Sequence, residues 1–210
     1  MTTGSSESPD DLLKYLELVA SNQKVNARNF QYGFSILRRI NICFSTAGQH
    51  LTNPKPLIAG LLFLRAQSAY KAAVGMSLAG QVPESFQMAR GCLECAGYSL
   101  LMFNDTALAD LYMNRHTSAD DLKRQKSAFQ ISKVRENIKS FDERLAEIFH
   151  ENYERSIDFG RHPNLHSTMS AITMDGVSET GSFTVEALST DPKVLAHAMR
   201  NAAHSSDRKR

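Results

Sequence analysis

PLIAGLLFLRAQSAYKAAVGMSLAGQVPESFQMARGCLECAGYSLLMF, residues Pro56 to Phe103, decides the fold. Its first half places leucines at 57, 61, 62 and 64 and alanines at 66, 69, 72 and 73. A helix so apolar, and so small on its faces, belongs among closely packed neighbours. Gly80 and then Val82-Pro83-Glu84 end that helix and start another, because glycine accepts the left-handed conformation at a helix end and proline suits a first turn. The second helix reaches about Phe103 with Phe86, Ala89, Leu93, Ala96, Leu100 and Phe103 on one stripe. The pair predicts the centre of an all-α helical bundle.

The flanks extend the same pattern. Residues 1–8 are polar and predict a disordered tail, and Ser8-Pro9-Asp10-Asp11 has the serine cap, early proline and acidic first turn of a helix start. Leu12, Leu13, Leu16 and Val19 follow, with the polar stretch Ser21 to Lys24 as a predicted interruption before Phe30, Phe34, Leu37, Ile40 and Phe44. Asn53-Pro54-Lys55-Pro56 is a break. Beyond Phe103, Asn104-Asp105-Thr106 caps a short helix, and Ser118-Ala119-Asp120-Asp121 opens the longest predicted element. There Ile131, Val134, Ile138, Phe141, Leu145 and Ile148 form a seam at alternating three- and four-residue spacing, predicting one helix that stops near Phe159-Gly160. Met169 to Met174 and Ser182 to Leu188 are rich in β-branched residues and predict a hairpin over about 169–188. Asp191-Pro192 caps a last helix, and residues 205–210 predict a basic frayed tail. The expectation is a single domain, 9–204, of five to seven helices with one small β-hairpin near the C-terminus. Leu61, Leu64, Phe86, Leu93, Leu100, Phe141, Leu145 and Ile148 are its expected core.

Composition narrows the class. The chain has 210 residues and a net charge of +2, which makes neither nucleic acid nor a membrane surface an obligatory partner. Three cysteines suit a reducing cytoplasm better than a disulfide framework, and the polar start Met1 to Glu7 has no signal-peptide pattern. The most apolar run, Leu57 to Gly80, is interrupted by Arg65, Gln67 and Lys71, so no membrane span is expected. No cofactor is expected either.

The densest functional signal is Asp158-Phe159-Gly160-Arg161-His162-Pro163-Asn164-Leu165-His166, an arginine, two histidines and an asparagine within six residues. Arg161 and His166 enclose four residues, and this spacing resembles the Arg-x4–6-His signature of the HEPN superfamily, helical bundles that include dimeric, metal-independent ribonucleases of toxin and phage-defence systems. The resemblance implies that Arg161 steadies the scissile phosphate and His166 moves protons during attack by a 2′-hydroxyl, with His162 and Asn164 contacting substrate. A permanent cation and an imidazole titrating near neutrality are the groups such chemistry needs. The resemblance implies RNA or a nucleotide as ligand and a homodimer as the assembly. The longer string Ile157 to Asn164 is also similar to segments of helical proteins from bacterial genomes and mobile elements. Against this stands a structural reading, in which His162 or Asn164 caps a tight turn and Arg161 pairs with a neighbouring acid.

Other constellations carry less. His162 and His166 have helical metal-ligand spacing, with His150, Glu151, Glu154 and Asp158 upstream, but no established metal motif is present. Cys92-Leu93-Glu94-Cys95 falls inside an apolar helix, where cysteines act as small hydrophobes. Arg90 and Glu94, four apart in that same helix, are expected to form a buried polar pair, with Arg65 a candidate third member. The stretch 118–156 is basic in its first half and acidic in its second, which a solvated helix face explains and which antiparallel self-pairing would also match. Two functions follow: a HEPN-like nucleotide- or RNA-binding bundle with ribonuclease activity, or a non-catalytic helical scaffold or protein-interaction module.

Overall fold

A computed structural model describes residues 11–160, 172–173, 184–185 and 188–203. The described residues are all-α in character and hold nine helices: α1 (Asp11–Asn29), α2 (Gln31–His50), α3 (Leu57–Ala79), α4 (Val82–Asn104), α5 (Ala107–Met113), α6 (Ala119–Ala128), α7 (Ile131–Lys139), α8 (Glu143–Gly160) and α9 (Pro192–Ala203). Two-residue strands β1 (Ile172–Thr173) and β2 (Thr184–Val185) pair antiparallel, Ile172 opposite Val185. The rest of the hairpin expected over 169–188 lies outside the described residues, as do both tails and the start at Ser8-Pro9.

α3 and α4 form the central antiparallel pair, as their composition predicts. Gly80 caps α3 in the left-handed conformation, φ 94°, which glycine adopts without a Cβ penalty. The two helices approach closely enough for the Ser99 hydroxyl to donate to the Ala59 carbonyl at 2.8 Å. α8 and α7 pack on α4, and α1, α2 and α9 pack on α3. Gly97 makes the α4–α7 contact possible, since a Cβ there would collide with the Val134 side chain.

The count exceeds five to seven because the long element expected over 118–159 is three helices. Gln130 is extended, ψ 144°, and ends the first piece, while Phe129 turns inward to meet Tyr98 and Tyr112 edge-on. Asp142 starts α8 by accepting a hydrogen bond from the Leu145 amide at 2.9 Å, and the Ser140 hydroxyl donates to the Asn137 carbonyl. This turn rephases the seam. Val134 and Ile138 of α7 are buried as expected, but α8 buries Ala146, Phe149, Tyr153 and Ser156. Phe141 and Leu145 are consequently exposed, at 61% and 45%, and Leu61 and Leu64 face outward on α3. Phe86 is fully buried, whereas Leu93, Leu100 and Ile148 are half-buried.

The predicted interruption at Ser21 to Lys24 is also absent: α1 runs on to Asn29. Asn22 and Gln23 of that stretch face the body, as does Asn26 one turn on. The amides of Asn22, Gln23 and Asn26 donate to the carbonyls of Ala79, Gly75 and Leu78 at 3.1, 3.0 and 2.9 Å. Leu78 and Ala79 are among the last carbonyls of α3, which lack intrahelical donors, so Asn26 and Asn22 serve as side-chain caps for α3, and Gln23 adds a bond one turn earlier at Gly75. From the other side, the Ser189 amide donates to the Gly80 carbonyl at 2.9 Å.

This junction makes Gly80 intolerant of substitution. An added Cβ would sit 2.5 Å from the Ser189 carbonyl oxygen, on a backbone already in the left-handed region. Gly80→Ala should destabilise the fold by on the order of 2–4 kcal/mol, measured by urea unfolding. A loss within experimental error would show that the chain around Ser189 does not hold α3 in place.

Candidate functional site

Arg161, His162, Asn164 and His166 lie outside the described residues; α8, which ends at Gly160, leads directly into them. The structure does bring Arg90 and Glu94 together. Arg90 Nε donates to Glu94 Oε1 at 2.8 Å, as the four-residue spacing on α4 allows. Tyr153 of α8 completes a closed triangle that sequence spacing did not reveal. Its hydroxyl accepts from Arg90 Nη2 and donates to Glu94 Oε1, both at 3.1 Å, and its ring lies 5.2 Å from the guanidinium carbon. The pair is half-buried rather than buried, with side-chain exposures of 22% and 30%. Arg65 is exposed on the outer face of α3 and makes no ion pair with Glu94 among the described residues.

The electrostatics of this cluster favour a structural bond. Burial lowers the Arg90 pKa, but the charge and hydrogen bond of Glu94, with a smaller effect from Tyr153, outweigh it and raise the value. Burial and then the Glu94 charge raise the Tyr153 phenol. Tyr98 is pushed up to about 12, by burial first and then by Glu94 and Tyr153. Each proton stays where it is near neutrality, so none of the three is poised for transfer.

Cys92 and Cys95 are likewise unsuited to nucleophilic work. Burial and then the neighbouring Cys95 push Cys92 up to about 12. Burial also raises Cys95, against the pull of the Arg65 charge. Thiolate chemistry needs the opposite shift. Among the described residues no group of three or more His, Cys, Asp or Glu side chains could hold a metal ion.

His197 of α9 is an imidazole in an unusual setting. It packs between Phe86 and Phe159, with ring centroids 5.6 and 5.3 Å away, and Phe86 and Phe159 stack on each other at 5.1 Å. Its Nε2 is buried without a hydrogen-bond partner among the described residues. Burial first, and then the charges of Arg155 on α8 and Arg200 on α9, lower its pKa.

A second candidate site was not legible in sequence. A groove of about 730 Å³ opens where the α1–α2 corner meets α9. Phe30, Ile36, Ala196 and Met199 supply apolar lining, and Arg28 and Arg200 line it from opposite helices. Phe30 and Met199 also belong to the core cluster around Leu37, Tyr70 and Leu78, so the floor is anchored in the body of the bundle. The groove exists because the helix breaks at Phe30 and not at Ser21 to Lys24. Phe30 opens α2 with no side-chain cap, so N–H groups of the turn after it lack a side-chain partner.

Among the described residues no helix is long and apolar enough to cross a membrane. No protein-family model, curated protein or solved structure matches the chain.

Two titrations test these assignments. Glu94→Gln removes the negative charge that raises both phenols, so Tyr98 and Tyr153 should ionise at lower pH in an ultraviolet phenolate titration. An unchanged titration would mean that burial alone sets them. For His197 the folded pKa lies below its ordinary 6.5, so the unfolded chain takes up the proton first. Stability should be level above about pH 6.5 and fall as the pH drops through the lowered folded value. His197→Phe should flatten this acid limb in urea unfolding across a pH series. A limb that persists would assign it to other groups.

Proposed function

We propose that this chain is a helical binding module, an all-α bundle that holds a partner in the groove between the α1–α2 corner and α9 without transforming it. The groove carries the reading: its volume lies in the range of small-molecule and cofactor sites, and it combines an apolar floor with two cations and no acidic lining residue among the described residues. The inert character of the other polar groups supports it. Arg90, Glu94 and Tyr153 satisfy one another, and both helix-α4 thiols are shifted away from reactivity. The absence of a membrane-crossing helix among the described residues and the three free cysteines suit a cytoplasmic setting.

A second reading, a HEPN-like ribonuclease acting as a homodimer, has one specific support. Arg161 follows immediately on the last residue of α8, so the Arg161-x4-His166 segment, ahead of the hairpin read over 169–188, starts at the end of a helix packed on the central α4. One assay separates the two. The full chain is incubated with single-stranded RNA in excess chelator, beside His166→Ala and Arg161→Ala. The binding-module reading expects RNA to remain intact in all three. Metal-independent cleavage by the wild type that is lost in His166→Ala, with the circular dichroism unchanged, would replace it with the ribonuclease reading.

A further inference from the structure

We propose that the groove at the α1–α2 corner takes an amphiphilic anion: a small molecule with an apolar chain ending in one carboxylate or comparable anionic head. The inference rests on the binding-module reading and names the class of ligand.

The groove has two chemically distinct parts. Phe30, Ile36, Ala196 and Met199 give it a floor that water solvates poorly, and Met199 is already 4% exposed against the core. An apolar chain laid there removes surface from water on both sides, which is the general driving force for such pockets. Arg28 at the end of α1 and Arg200 near the end of α9 are exposed and have no carboxylate partner among the described residues. Two guanidinium side chains that line one concavity, with no acid in its lining among the described residues, repel each other and attract an anion. The uncapped first turn of α2 adds N–H donors to the same wall, which accept no cation.

The alternatives fit less well. A polar anion such as inorganic phosphate would leave the apolar floor unused. A cationic amphiphile would cover the floor but meet the arginines. A neutral one would use the floor alone. Only a ligand with both parts uses the whole groove.

Gly33 offers a way to close the site without harming the fold. It lines the groove on α2, and a Cβ built on it meets nothing within 4 Å. Gly33→Leu should fill the open space while raising helix propensity, so folding should survive.

The test uses the full chain and three twelve-carbon probes below their micellar concentrations, followed by titration calorimetry: dodecanoate, dodecanol and dodecyltrimethylammonium. The expected result is one dodecanoate per chain, with dodecanol and the cation weaker by roughly tenfold or more. The double variant Arg28→Glu/Arg200→Glu should lose dodecanoate affinity by a similar factor and improve for the cation. Gly33→Leu should weaken all three probes together. Equal affinity for the three head groups, dodecanoate binding untouched by the charge reversal or by Gly33→Leu, or no dodecanoate binding would each overturn the proposal. RNA cleavage in the assay above would remove the binding-module reading separately, because probe affinity is measured without reference to it.

Discussion

The C-terminal end of α3 is the constraint on which the rest of the bundle depends. A helix of 23 residues ends at Gly80, inside the protein; the following backbone amides take the Met76 and Ser77 carbonyls, and those of Leu78 and Ala79 are left over. Asn26 and Asn22 of α1 supply the donors, Gln23 adds a third bond at Gly75, and the chain entering α9 comes close enough for Ser189 to bond the Gly80 carbonyl. One helix end thus fixes α1, the turn into α4 and the approach to α9. An unsatisfied buried carbonyl costs about 1–3 kcal/mol, so two left together would remove a large share of the stability of a domain of this size. The polar face of α1 is therefore turned inward for a definite reason, and leucines such as Leu16 and Leu18 stand exposed as a consequence.

From that anchor the core is built by close approach more than by large side chains. Ala59, Ala66 and Ala73 of α3 are all buried, and Ser99 reaches the Ala59 carbonyl directly. Gly97 does the same on the opposite side of α4, where Val134 and Phe149 fill the space a side chain would occupy. The Arg90–Glu94–Tyr153 triangle then ties α4 to α8 at a half-buried position, where the remaining contact with water limits the desolvation cost of both charges.

What could be read from the sequence follows the strength of the local signals. The α3–α4 pair, the Gly80 turn, the Ser118 cap and the Asp191 cap each rest on a residue whose backbone or side-chain preference is strong, and each is present. The seam at 131–148 was legible only as far as Ile138. Its continuation through Phe141 and Leu145 kept the same period, but Asp142 caps a new helix and shifts the buried face by one position, from Leu145 to Ala146 and from Ile148 to Phe149. Periodicity cannot report a break that preserves the period. Ser21 to Lys24 reads as an interruption for the converse reason, because the partners of its Asn22 and Gln23 side chains are backbone carbonyls some fifty residues away.

The same limit explains why the groove was invisible while the Arg90–Glu94 pair was not. A pair four apart on one helix is a local relation, and the backbone geometry of the helix nearly dictates it. Tyr153 and the two arginines of the groove are non-local: Arg28 and Arg200 stand at opposite ends of the chain and meet only after α9 has packed on α2 and α3. Their juxtaposition is a product of the α3 junction, since the returning chain at Ser189 determines where α9 starts and therefore which of its faces meets the α1–α2 corner. A site assembled in this way is preorganised by the core beneath it. Phe30 and Met199 are held by the Leu37–Tyr70–Leu78 cluster, so the floor should keep its shape whether or not a ligand is present, and affinity would not be spent on ordering it.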